Sequence, residues 1–313
     1  MLIAVFAGRG WMLGFLLVAG LQGGLLLLLI SWWLNRKFRR RTPLTADLVR
    51  PPGHSLRERL SDLDEKLMLA FMLYFLWPLG IYSMHISDSY FSGAAESRYR
   101  TAHTVIVILF GWFLSGRYLL KKLVEIRHLR LGLDGELAVG YELDQLMLEG
   151  CRVFHDISYP YGNIDHVVVS RSGVYCINTK MRGKPPGMDN AEVVVDYTVG
   201  ERGVIRFPDG TFSISKDPET EANWLSQELS KSTGSPVAVE PMLAFPGWFF
   251  KDRIGRGRVF VFNPTRPHRF LIRSAVVNTP ERITQIAYQL ERMVRSLEPV
   301  LKDKSRKWSS SKD

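Results

Sequence analysis

Gly162-Asn-Ile-Asp-His-Val-Val-Val-Ser-Arg-Ser-Gly-Val-Tyr-Cys-Ile-Asn-Thr-Lys180 is the stretch on which the fold turns. Two β-rich runs, Ile164–Val169 and Val174–Thr179, flank a polar turn, Ser170-Arg171-Ser172-Gly173. Gly173 suits the positive φ that short hairpin loops often need. Pairing Val169 with Val174 sets Val167 opposite Cys176 and Asp165 opposite Asn178. Side chains alternate along a strand. One face therefore carries Asp165, Val167, Val169, Val174, Cys176, Asn178 and Lys180. Opposed residues have Cβ atoms roughly 5 Å apart and diagonal ones about 7–8 Å. An acid, an amide and an amine thus converge at one end of an apolar face. A cross-strand ion pair between Asp165 and Lys180 is one account of them.

The same residues resemble a known family. Ile164–Ser170 with Gly173-Val174-Tyr175 is similar to the nuclease-related domain (NERD) family, whose core resembles the PD-(D/E)XK nucleases. There an Asp closes one strand and Glu-x-Lys sits on the next. Asn178-Thr179-Lys180 takes that second place, with Asn where Glu is expected. Gly135-Glu136 resembles the family's Gly-Glu near its first helix, and Gly183 a glycine just after its lysine. The resemblance covers about residues 131–245.

It implies an α/β fold, a restriction-endonuclease-like mixed sheet flanked by helices. It also implies a catalytic set of Glu136, Asp165, Asn178 and Lys180. Mg²⁺ or another divalent cation would be held by Glu136, Asp165 and Asn178, and the substrate would be a DNA or RNA phosphodiester. His166 enters as a substrate contact on the resemblance alone, because alternation points it away from Asp165. Arg182 and Lys184, in a basic loop, are placed to meet phosphate or to form an ordinary solvated loop. Glu136 has a plainer account too, as an acid favoured at a helix N-terminus.

Asn178 is a neutral oxygen donor, whereas Mg²⁺ favours charged oxygens. Losing one unit charge beside a divalent ion removes on the order of 10 kcal/mol of raw attraction, largely offset by cheaper desolvation. Three readings therefore stay open. One is an attenuated metal-dependent phosphodiesterase. Another is a non-catalytic module of the same fold binding nucleic acid or protein at a membrane. The last is a structural membrane protein with an Asp165–Lys180 salt bridge.

The membrane enters from the N-terminal part. The chain has 313 residues and a net charge of +10. Its mean hydropathy near zero averages an apolar first 120 residues with a polar remainder. Trp11–Leu34 has no charge and is long enough to cross a bilayer, which takes about 20 helical residues. The basic run from Asn35 to Arg41 follows it, the reverse of a cleaved signal peptide. Leu67–Met84 and Ala102–Leu120 read as second and third spans, with Ser55–Lys66 as a short amphipathic helix on the membrane face. The Lys/Arg bias of residues 35–66 and of the segment after Leu120 puts the N-terminus outside and the later domain in the cytoplasm. The expected setting is a bacterial inner membrane. No Asp, Glu or Lys lies inside the spans, which disfavours a transporter and suits an anchor.

The soluble domain reads as residues 129–301, before a disordered tail at 302–313. A helix carrying Leu137, Tyr141, Leu143 and Leu146 ends at Gly150. Strands are expected at Cys151–Ile157, Ala191–Val199, Val204–Phe207, Val237–Phe245 and Val259–Phe262. Asp217 as N-cap, then Pro218, opens a helix whose first turn suits Glu219 and Glu221. Thr279-Pro280-Glu281 opens another, with Ile283, Ile286, Leu290, Met293, Val294, Leu297 and Leu301 on one stripe. Trp248–Arg258 mixes aromatics with Lys251, Arg253, Arg256 and Arg258, suiting nucleic-acid strands or anionic lipid headgroups. Cys151 and Cys176 lack metal-like spacing and fit a reducing compartment.

Overall fold

The structure is a computed structural model that describes residues 29–30, 32–33, 47–91, 98–188, 192–265, 271 and 275–297. The chain divides into two compact units, Met1–Leu48 with Glu298–Asp313, and Val49–Leu297. In the first, Leu29, Ile30, Trp32 and Trp33 are helical and exposed. The rest of the expected span Trp11–Leu34, the basic run after it and the C-terminal tail lie outside the described residues.

The second unit begins with two long helices, α1 (His54–Phe91) and α2 (Arg98–Asp144). Both are long and apolar enough to cross a membrane. The described residues thus carry two such helices, where the sequence suggested three spans. Met68, Phe75, Leu76 and Leu79 of α1 are exposed, as are Ile106, Phe110 and Phe113 of α2. Apolar side chains around a whole helix call for an apolar surrounding. The helices pack together: Trp112 Nε1 donates to the Tyr74 carbonyl at 3.0 Å and the two rings stack.

Both helices are longer than expected. Ser55–Lys66 is no separate surface helix but the first part of α1, with Leu60 and Leu63 buried against Ile126 of α2. Likewise the expected third span and first domain helix are one unbroken helix. No proline interrupts residues 98–144, so nothing stops the apolar stretch from running on into the domain. A five-residue 3₁₀ turn, Gln145–Glu149, ends it at Gly150, whose φ of 85° closes the helix.

Among the described residues the main sheet has five strands: β1 (Arg152–Tyr159), β2 (Gly162–Ser170), β3 (Gly173–Thr179), β7 (Val239–Ala244) and β9 (Phe260–Phe262). Their order is β9-β7-β3-β2-β1. The β1–β2 and β2–β3 pairs are antiparallel, and the β3–β7 and β7–β9 pairs parallel, so the sheet is mixed. The hairpin register is the expected one, Val169 opposite Val174 and Val167 opposite Cys176. Its loop is shorter, because Ser170 still pairs with Gly173 and only Arg171-Ser172 turn. Gly173, at φ 159°, closes the ladder instead of making the turn.

Alternation then divides the core. Val167, Val169, Val174 and Cys176 face helices α3 (Asp217–Thr233) and α4 (Pro280–Val294), meeting Ala222, Leu225, Leu229, Ile286 and Leu290. Val168, Tyr175 and Ile177 face the other way, onto Val139 and Leu143 of α2. Asp217 lies in the first turn of α3, whose N-cap is Lys216 instead. Thr279 caps α4 as expected, accepting from the Arg282 N–H at 3.3 Å. The helix stops at Val294, so Leu297 leaves the stripe, and Leu301 lies outside the described residues.

A second sheet was not foreseen. Strands β4 (Glu192–Asp196), β5 (Val204–Phe207), β6 (Gly210–Ser213) and β8 (Phe249–Ile254) lie in the order β6-β5-β4-β8. Leu243, the parallel neighbour of Asn178, packs with Val193, Ile205 and Trp248 of this region. The far end of β3 therefore lies where the α3 layer meets the second sheet.

Candidate active site

Asp165 sits where the β2–β3 ladder ends. The last paired residues are His166 and Ile177. Beyond them, the Thr179 N–H donates to Asp165 Oδ2 at 2.7 Å, so the carboxylate takes the place of a ladder bond. Lys180 continues β3 by donating its N–H to the Ala244 carbonyl at 2.9 Å. No Asp165–Lys180 ion pair within 4.0 Å appears among the described residues. The Lys180 charge still acts on Asp165, on Glu136 and on Glu221 of α3.

Glu136 arrives from α2. A Cβ on Gly135 would lie 2.9 Å from Met181 Cβ and 3.5 Å from Thr179 Cγ2. Only glycine lets the helix come this close to the strand end, and that approach sets Glu136 beside the site. Glu136 is 9% exposed. Burial, then the charges of Asp165 and Asp156, push its carboxyl up to about 8. Burial also raises the Asp165 carboxyl, opposed by the Thr179 N–H and by Lys180.

Asn178 is 5% exposed and donates from Nδ2 to Glu221 Oε1 at 2.9 Å. Glu221 is 3% exposed, and burial, then the Asp165 charge, push it up to about 8. Asn178 Oδ1 and Glu221 Oε2 are buried with no hydrogen-bond partner. Asp156 is a further acid, buried at 1%, with φ 53°. It is already engaged, accepting from the Ser55 N–H at 3.0 Å at the start of α1 and lying 3.8 Å from Arg50.

The structure thus brings Glu136, Asp165, Asn178 and Lys180 to one end of the sheet. The other predicted residues have partners of their own. His166 is fully buried on the opposite face of the sheet. Its Nδ1 shares a 2.8 Å hydrogen bond with His155 Nδ1, and His155 Nε2 lies 2.9 Å from Asp144. Arg182 is tied to Asp209 at 2.9 Å and stacks over Phe207 at 4.6 Å. Lys184 lies over the Trp248 ring at 5.3 Å. Asp156 escaped the sequence reading, and Glu221 entered it only as an acid suited to a helix start. A signal for Glu221 existed: it precedes Leu225 and Leu229 at four-residue steps, on the buried stripe of α3.

Residues 131–246 match the model of the nuclease-related domain family. The matched stretch runs from the last part of α2 through β7 and includes Glu136, Asp165, Asn178, Lys180 and Glu221. No curated protein and no solved structure matches the chain. The nuclease-related domain therefore supplies the functional context, and the apolar parts of α1 and α2 lie outside it.

A divalent cation fits the donors of this domain by type. Carboxylate and amide oxygens are the ligands that Mg²⁺ takes. Two of those oxygens are buried without partners, and such atoms cost free energy unless something satisfies them. Among the described residues, no three acid, histidine or cysteine side chains already stand in a metal-holding arrangement. A cation would have to draw these side chains together.

Proposed function

We propose that this is a membrane-anchored nuclease-like protein that hydrolyses DNA or RNA phosphodiester bonds with a divalent cation, attenuated by Asn178. The observation that carries this reading is the convergence of Glu136, Asp165, Asn178 and Lys180 at one strand end inside the matched domain. The fold implied is restriction-endonuclease-like, and the mixed sheet with helices on both faces supports it.

In this reading Asp165, Glu136 and Asn178 would hold Mg²⁺, which would supply Lewis acidity and a more acidic water. The Thr179 N–H fixes the Asp165 carboxylate, so its other oxygen keeps one direction. Lys180 lends positive charge where the attacked phosphate gathers negative charge. Its ammonium also orients the attacking water. The apolar helices α1 and α2 anchor the domain. The Lys/Arg bias places it in the cytoplasm, on a bacterial inner membrane.

The test is cleavage of plasmid DNA and of a structured RNA by the full-length protein in detergent, with Mg²⁺ or with EDTA. Metal-dependent cleavage that disappears in Asp165→Ala and Lys180→Ala is expected. Cleavage unchanged in both variants would overturn the assignment. A second reading is favoured by the neutral Asn178 and by the lack of a ready three-ligand group among the described residues. There the domain holds nucleic acid or a protein at the membrane without cutting. Nucleic-acid binding that weakens steeply with salt, with no cleavage, would select it.

A further inference from the structure

The geometry points to an exchange of chemical groups between strand and helix: Glu221 supplies the metal-binding carboxylate that position 178 lacks, and Asn178 positions it. This rests on the proposed metal site and assigns a further residue to it.

Helix α3 packs its stripe of Ala222, Leu225 and Leu229 against the face of β2 and β3 that ends in Asp165 and Asn178. Glu221 belongs to that stripe, one turn before Leu225. An acid at such a place costs several kcal/mol unless it is paired or bonded. Its neighbour Glu219 also keeps a buried oxygen, Oε1, without a hydrogen bond, but two arginines pair its charge. Glu219 Oε1 lies 3.3 Å from Arg202 and its Oε2 3.8 Å from Arg258. For Glu221 no ion pair occurs among the described residues. It has the Asn178 amide on Oε1, while Oε2 is buried and open.

The direction of the open atoms matters. Asn178 lies on the Asp165 face of β3, and its Nδ2 is spent on Glu221. Its Oδ1 is left open beside the same cluster. Asp165 and Lys180 both lie within electrostatic reach of Glu221. Two unsatisfied oxygens, one on a carboxyl and one on an amide, thus lie in the neighbourhood of Asp165. A hard divalent cation satisfies both at once. The amide and the acid together present the charge that an acid at 178 would present alone.

The experiment measures Mn²⁺ and Mg²⁺ binding to the full-length protein in detergent, by calorimetry and by metal-induced shift of the melting temperature. Wild type is compared with Glu221→Gln, with Asp165→Asn and with the double exchange Asn178→Glu/Glu221→Gln. The expected result is a loss of at least about tenfold in divalent affinity for Glu221→Gln. Its metal-free melting temperature should rise, since a buried open acid is gone. The double exchange should return affinity to within about threefold of wild type, a gap of roughly 0.7 kcal/mol. Unchanged affinity in Glu221→Gln with loss in Asp165→Asn would overturn the exchange and leave the metal site standing. No divalent binding by the wild type would overturn both.

Discussion

Two polar clusters lie on opposite faces of β1–β3 and are built on opposite plans. On the α2 face, Asp144, His155 and His166 form a chain. Asp144 Oδ1 pairs with His155 Nε2, and the two imidazoles share one hydrogen bond between their Nδ1 atoms. Burial, helped by His155, holds His166 well below the usual imidazole range and keeps it neutral. One uncharged nitrogen, His166 Nε2, is left open. On the α3 face, acids gather instead, and the open atoms are a carboxylate oxygen and an amide oxygen. The lesson is that burial alone does not mark a site. What distinguishes the α3 face is a buried carboxyl and a buried amide that each keep one oxygen without a hydrogen-bond partner.

The sharpest way to break the comparison is to strike one member on each face. Asp165→Asn should lower Mg²⁺-dependent cleavage by at least about tenfold, because a charged oxygen proposed to hold the metal is lost. His155→Leu should leave divalent affinity within about threefold. It should cost about 1–3 kcal/mol of stability by leaving the buried His166 Nδ1 without its partner. Calorimetric metal titration beside thermal unfolding checks both. Equal loss of metal affinity in the two variants would erase the distinction between the faces.

Gly135→Ala tests how the acids are brought together. Its new methyl meets Met181 Cβ, which belongs to the strand end and has little room to yield. We expect about 1–3 kcal/mol of destabilisation from overpacking. Divalent affinity should weaken as well, because Glu136 retreats with the helix. Chemical unfolding and metal titration of the variant measure the two effects separately.

The pH dependence should follow the acids. The carboxyls of Glu136 and Glu221 rise from an ordinary 4.5 to about 8. A carboxyl raised in the folded state stabilises while it is protonated. That contribution is full below about 4.5 and is lost as pH climbs through about 8. In EDTA the melting temperature should therefore fall over that window, and Mg²⁺ should restore most of the loss at the alkaline end. Glu221→Gln should flatten the metal-free profile. A profile that rises with pH in EDTA would contradict the assignment.

The smallest effect is expected at Arg182. Its ion pair with Asp209 is partly exposed on both sides. Such pairs contribute about 0–1 kcal/mol. With its stacking over Phe207 contributing about 0.5–1 kcal/mol more, Arg182→Ala should cost no more than about 2 kcal/mol and leave metal affinity intact. Any larger loss, seen as weaker nucleic-acid binding at low salt, would give the loop the phosphate contact that its sequence suggested.

Much of the α3 face was legible because it rests on short-range rules. Period-two alternation and one hairpin register sufficed to put Asp165, Asn178 and Lys180 together. Glu136 became legible through its Gly135 neighbour and the family resemblance. Glu221 did not, because its meeting with Asn178 spans 43 residues and a parallel crossover. From sequence, Asp-Pro-Glu-Thr-Glu reads as a helix start that favours acids. The second sheet was hidden for a similar reason. Strand β4 pairs in parallel with the distant β8, and no local pattern announces such a partner. Helix α2 was misread as two elements because bilayer length and domain periodicity were judged separately, and both signals hold along one rod.

That rod has a mechanical consequence. From Leu120 to Glu136 the helix is unbroken, a reach of roughly 24 Å. For a chain anchored as proposed, tilting the lipid-facing end swings the acid at the other. Lipid thickness would then tune how closely the Glu136 oxygens approach Asp165, and catalytic output would track the bilayer chosen for reconstitution.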